Sequence, residues 1–231
     1  MWEIISSSLP QLLAAGFKYT IPLALISFFF GLIIALLTAL IRLAHQDGAF
    51  MILKWIAQFY VWLFRSTPLL VQLFIVFFGL PYLRIKGILP HGIKLQPFTA
   101  GIITFSLNTG AYASETIRAA ISSVPNGQWE AGEAIGMTRL QILWRIIIPQ
   151  ALQVALPPLS NSFISLVKDT SLAASITILE MFEVSQQIAA ENYQPLLMYT
   201  LVAIIYAVFT TVLSTLQHYL EKKLGSRVTI S

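Results

Sequence analysis

The sequence predicts an all-α membrane protein with about five transmembrane helices. The first observation is compositional. Hydrophobic residues make up 57% of the 231-residue chain and charged residues only 10%, with a mean hydropathy of +0.77. A soluble domain carries about 25% charged residues, so lipid must cover surface that polar groups leave uncovered. The second is that uncharged runs near the ~20 residues needed to cross a bilayer recur between charged residues. The third is an aromatic content of 12%, which suits rings that anchor helix ends at the headgroups.

The spans follow in order. Residues 21–41 are uncharged and end at Arg42. A shorter run, 66–83, lies between Arg65 and Arg84, and a third, 95–114, is followed by Glu115. Residues 146–167 form the fourth, between Arg145 and Lys168. The fifth, 192–220, exceeds the bilayer thickness, so its ends reach into the interfaces. Residues 4–15 are expected to be an interfacial helix leading into the first span. Residues 49–64, interrupted by Lys54 and Gln58 and rich in Trp55, Tyr60 and Trp62, read as an interfacial helix entering the second span. A sixth full span is the rival reading of that segment.

The whole chain, 1–231, is expected to form one membrane domain with a core over about 16–218. Met1-Trp2-Glu3 lacks the basic start of a signal peptide, so the first apolar segment is expected to stay in the membrane. With Cys absent, disulfides and thiolate metal sites are excluded, and no cysteine lipid anchor is expected. The basic residues are scattered, which favours membrane orientation over nucleic-acid binding. With the N-terminus outside and the C-terminus cytoplasmic, nine Lys or Arg fall on the cytoplasmic side (positions 42, 54, 65, 118, 139, 145, 222, 223 and 227) and five opposite (18, 84, 86, 94 and 168). That bias is the expected one.

The most informative segment is the loop at 119–145. Pro125 and Asn126 are helix-start signals, Gly136 suits a left-handed C-terminal cap, and Thr138 and Gln141 have capping-box spacing for the next helix. A helix of about two turns, ~12 Å long, should therefore lie across one face of the membrane. Its small residues Ala131, Gly132 and Ala134 would let another protein approach its backbone, and Glu130 and Glu133 give it an acidic rim. An ordinary capped loop helix is the plainer reading.

The sequence here resembles the EAA loop of ABC importer permeases. Glu130-Ala131-Gly132, then Gly136, Ile146 and Pro149, keeps every spacing of that pattern, with Gly132 for the second Ala and Ile148 for Leu. Arg65-Ser66-Thr67-Pro68-Leu69 is similar to a segment of the polar amino acid branch, as are 108–118 and 168–172. The run 155–168 most closely resembles L-cystine permeases. The resemblance covers roughly 16–217. It implies the type I importer fold in the bacterial cytoplasmic membrane and a dimer of identical or related permease subunits. It also implies a cytoplasmic ATPase subunit carrying ATP and Mg, and an extracytoplasmic substrate-binding protein. The chain has no Gly-x-x-x-x-Gly-Lys-Ser/Thr loop of its own, so no cofactor and no catalytic residue is assigned to it.

Other readings concern the translocation path. Glu115 and Arg118 are spaced to meet on one helix face, as a local pair or as a gate. Lys168 and Asp169 either end the fourth span or face the pore entrance. Asn108, Tyr112, Ser160 and Asn161 could bind a zwitterionic substrate or join helices. Pro157-Pro158 is expected to bend or break the fourth span, exposing carbonyls along a path. The rival classes are a secondary transporter or channel, which should show matching halves or intramembrane acidic relays, and a membrane enzyme. His45, His91 and His218 are far apart, and neither His-Glu-x-x-His nor Gly-x-Ser-x-Gly is present.

Overall fold

A computed structural model describes residues 2–43, 49–84 and 92–225, and all its regular elements there are helical. His45, Lys86, His91 and Arg227 lie outside the described residues. Helix α1 runs over Trp2–Leu43, α2 over Ala49–Ser66 and α3 over Leu69–Tyr82; α4 is Pro97–Ser122 and α5 Asn126–Ala134. Helix α6 runs over Arg139–Ile176, α7 over Met181–Asn192 and α8 over Pro195–Gly225.

Residues 4–15 are not a separate interfacial helix. They continue into the first span as one 42-residue helix, ~63 Å long. Its middle turn, Gly16–Thr20, is π-helical, with the Ile21 amide donating to the Gly16 carbonyl. Two further π turns occur, Ile75–Gly79 in α3 and Leu143–Ile147 in α6. Each ends two residues before a proline: Pro22, Pro81 and Pro149. Proline has no N–H and its ring collides with the carbonyl four residues back, so a locally widened turn lets the helix continue. Pro157 and Pro158 behave differently from the expectation. Helix geometry runs unbroken through both, so no unwound segment lies there.

By length and hydropathy α1, α6 and α8 can each cross a membrane, and α2 with α3 forms a fourth, sharply bent candidate at 110°. The second expected span corresponds to the second limb of that pair, and residues 49–64 to the first, set at a sharp angle to it. Helix α4, 26 residues long, reaches ~39 Å but, carrying Asn108, Glu115 and Arg118, is less apolar than α1, α6 and α8. The fifth span begins at Pro195. Residue 192 ends the preceding helix, and Tyr193 turns the chain with a left-handed φ of 54°.

Helix α4 packs most extensively against α1. Ser27, Gly31, Ala35 and Ala39 recur every fourth residue on α1 and are all buried. Gly31 lies against Thr109 of α4, and Gly110 of α4 lies against Ile34 of α1. A Cβ on Gly31 would lie 2.9 Å from Thr109 Cβ, and one on Gly110 would lie 2.8 Å from both Ile34 Cγ2 and the Tyr60 hydroxyl. Within a membrane the hydrophobic effect does not drive helices together, so close backbone approach through small residues takes its place.

Candidate functional site

The loop helix forms as its end signals require. Helix α5 starts after Pro125, and Gly136 beyond its end has φ 79°, with the Met137 amide donating to the Gly132 carbonyl at 3.0 Å. Thr138 and Gln141 complete the capping box that opens α6. Glu130, Ala131, Glu133 and Ala134 are exposed, and Ile135 is 76% exposed. The Glu133–Arg139 pair, 3.3 Å apart on this exposed rim, contributes little to stability.

Gly132 does not face outward as expected. It is the buried residue of α5, and an added Cβ would meet Ile142 Cγ1 at 2.6 Å. The inner face of α5 needs this glycine because the first turn of α6 crosses directly beneath it. Trp129 packs into the same apolar cluster as Ala120, Ile121, Val124, Ile142 and Ile147. Ile146 also packs there, and Pro149 follows the π turn of α6. The motif is therefore partly a surface and partly the packing that seats it on α4 and α6.

Behind the loop helix lies a knot of charge. Arg42 donates to Glu115 Oε1 at 2.5 Å and Arg118 to Oε2 at 2.9 Å, while Arg65 lies 3.8 Å from Oε1. The local Glu115–Arg118 pair is present, but the carboxylate joins three helices. In the sequence Arg42 marks the end of the first span and is one of the cytoplasmic charges. Its hydrophobic run hid a long-range partner that no spacing rule connects.

A second knot surrounds the bend between α2 and α3. The Gln72 amide donates to the Phe64 carbonyl at 2.9 Å, the Thr67 carbonyl at 3.0 Å and Thr67 Oγ1 at 2.8 Å. Asn108 donates to Gln72 Oε1 at 2.9 Å, and Tyr112 donates to the Arg65 carbonyl at 3.4 Å. Asn108 thus joins helices. Gln72 carried a readable signal, since a lone amide in an apolar run needs a partner when buried.

The remaining candidates lie on α6. Ser160 is half-buried, and Asn161 accepts from Gln217 of α8 at 3.2 Å. Lys168 is exposed and Asp169 half-buried; together they close the α-helical stretch of α6, which tightens into a 3-10 turn over Thr170–Ile176. Asn161, Ser165 and Lys168 share an exposed face at helical spacing, which makes Ser165 an addition to the candidates.

Comparison with known proteins decides the family. Residues 48–226 match the family of binding-protein-dependent transport system inner membrane components. The chain belongs to that family. This inner membrane transport component is 48% identical to the L-cystine transport system permease protein TcyB of Bacillus subtilis, covering 98% of this chain and 92% of that one. It is 39% identical to the probable amino-acid ABC transporter permease protein YckA of the same organism, covering 90% and 87% of the two chains. Its fold matches a crystal structure of an amino acid ABC transporter with histidines at a TM-score of 0.82 and 29% identity, covering 94% and 96%. The inward-facing MetNI methionine ABC transporter matches at 0.73 and 21% identity, which supports the fold alone. The architecture is that of ABC importer permeases.

Proposed function

We propose that this chain is the permease subunit of an ATP-driven importer of polar amino acids, with L-cystine as substrate. The observation that carries the substrate is the 48% identity to an L-cystine permease over nearly the whole chain. What supports coupling is α5, a capped helix whose outer face offers Glu130, Ala131, Ala134 and Ile135 to a partner. That face docks on a separate ATPase subunit, which binds ATP and Mg. A substrate-loaded binding protein docks at the opposite face, and a second permease subunit completes the pathway. The helix Asn126–Ala134 and the C-terminus are cytoplasmic and the N-terminus outside.

ATP moves such a permease only if ATPase contacts differ between inward- and outward-open states. Helix α5 is suited to carry that difference because Val124, Trp129 and Gly132 seat it on both α4 and α6. The exposed polar face of α6, with Asn161, Ser165 and Lys168 and with Ser160 and Asp169 beside it, lines the path between subunits. Polar groups exposed on a spanning helix favour water or a partner over lipid.

The test is uptake of labelled cystine into vesicles containing the permease, its ATPase and its binding protein. ATP-dependent uptake that is lost, together with ATPase association, in Glu130→Ala/Gly136→Pro supports this reading. Uptake driven by an ion gradient without any ATPase overturns it in favour of a secondary transporter.

A further inference from the structure

Three residues on one face of α4, at positions 108, 112 and 115, all grip the end of α2. Asn108 lies 3.5 Å from the Phe64 carbonyl and holds Gln72, Tyr112 donates to the Arg65 carbonyl, and Glu115 attracts the Arg65 guanidinium. That guanidinium also lies 5.5 Å from the centroid of the Tyr112 ring. Every one of these contacts falls within two residues of the break at Ser66–Pro68, or on Gln72, which caps it.

The break needs such a grip. Pro68 forces the preceding residue out of helical geometry and leaves the last carbonyls of α2 without partners. Gln72 and Thr67 satisfy several of them from within, Thr67 Oγ1 reaching the Leu63 carbonyl at 2.8 Å. These bonds hold the bend but do not fix where it sits. The α4 stripe does, because it is the rigid element to which the bend is tied.

The same helix leads into α5 after three residues. The Ser123 amide bonds back to the Ala119 carbonyl at 2.9 Å, and Val124 is buried in the cluster beneath α5. Glu115 lies ~10 Å along the helix from Ser122. A displacement of α5 is therefore carried along α4 to the bend rather than absorbed in a slack loop.

We infer that Asn108, Tyr112 and Glu115 are positioning residues for transport: the α4 stripe moves the α2–α3 elbow when the ATPase moves α5. This inference rests on the importer reading above. It gives these three groups a mechanical role and leaves the substrate contacts to other residues. Arg42 belongs to the same device, since its bond to Glu115 carries the end of α1 with the elbow.

The absence of cysteine allows spin labels to be placed without background. Labels at Trp55→Cys and Ile75→Cys, both on exposed positions of the elbow limbs, report its angle in the reconstituted permease–ATPase complex. A second pair, Ile135→Cys with Leu25→Cys, reports the position of α5. Distances are measured by pulsed EPR with and without a non-hydrolysable ATP analogue, alongside stimulation of ATPase activity by loaded binding protein. In the otherwise unmodified complex both distances are expected to shift with nucleotide. In Glu115→Gln and Asn108→Leu the α5 distance still shifts, the elbow distance no longer follows, and stimulation falls at least threefold. Tyr112→Phe, which keeps the ring, gives a partial loss and guards against a misfolded variant, as does retention of the nucleotide-free elbow distance. An elbow that stays fixed while α5 moves in the unmodified complex overturns the inference, though ATP-driven uptake would still support the importer. Unchanged stimulation with an altered KM for the amino acid also overturns it, by making these residues ligands.

Discussion

The Tyr206 hydroxyl donates to Glu180 Oε2 at 2.7 Å, joining α8 to the start of α7 at a carboxylate that is fully buried. The same carboxylate accepts from the Phe182 and Glu183 amides at 2.8 and 2.7 Å, and the Met181 amide reaches Thr20 on the π turn of α1 at 3.4 Å. Glu180 is thus an N-cap whose remaining valence ties α7 to α8, while the adjacent Met181 amide ties α7 to α1. Tyr206→Phe deletes one hydrogen bond to this buried carboxyl without changing the ring, and should destabilise the protein by about 1–3 kcal/mol. Glu180→Ala also removes the cap, adding about 0.5–2 kcal/mol. Thermal unfolding in detergent, with the order Glu180→Ala worse than Tyr206→Phe, checks this; the reverse order contradicts it.

Gly132, inside the loop helix, and Gly136, just past its end, sit four residues apart and are needed for opposite reasons. Gly132→Ala places a methyl against Ile142 and must push that residue out of the cluster. A cost of about 1–3 kcal/mol is expected for such overpacking. Ile142→Ala relieves the collision while opening a cavity of its own, so the double variant should be less defective than the sum of the singles. Additive losses in a thermal double-mutant cycle would argue that the two residues do not touch.

Nothing lies within 4 Å of a Cβ placed on Gly136, so its requirement is conformational. At φ 79°, alanine should cost roughly 1–2 kcal/mol and asparagine less. Transport rates should then rank glycine, asparagine, alanine. Equal rates for alanine and glycine would mean that the cap does not matter to coupling.

The crossing of α1 and α4 predicts a position-specific effect. Gly31→Leu forces the helices apart at Thr109 and should abolish stable assembly in detergent. Phe29→Leu, two residues away and 61% exposed, should be nearly silent. Size-exclusion profiles of the two variants distinguish this contact from a general loss of hydrophobicity.

Much of the site could be read along the chain because it is built from local signals. Pro125, Gly136, Thr138 and Gln141 act through hydrogen bonds spanning three to five residues, so their spacing alone predicted α5 and its boundaries. Gln72 and Arg42 act through partners 36 and 73 positions away. Their role follows from which helix faces which, and no periodicity encodes that. Gly132 shows the same limit on a smaller scale: its size was legible, but the side it faces depends on how α6 folds back beneath α5.

The sequence by itself determined that the chain is a helical membrane protein, because apolar length and scarcity of charge have few other solutions in water or lipid. It also determined the loop helix, whose ends are closed by neighbouring residues. Only the tertiary structure decided that α1 is one continuous helix, that Pro157 and Pro158 leave α6 intact, and that α2 and α3 meet at a sharp bend. Those outcomes depend on whether neighbouring helices supply packing and hydrogen bonds at a given point. Gln72 supplies them at the bend, and the small residues of α1 and α4 set the close approach that brings Glu115 within reach of three arginines.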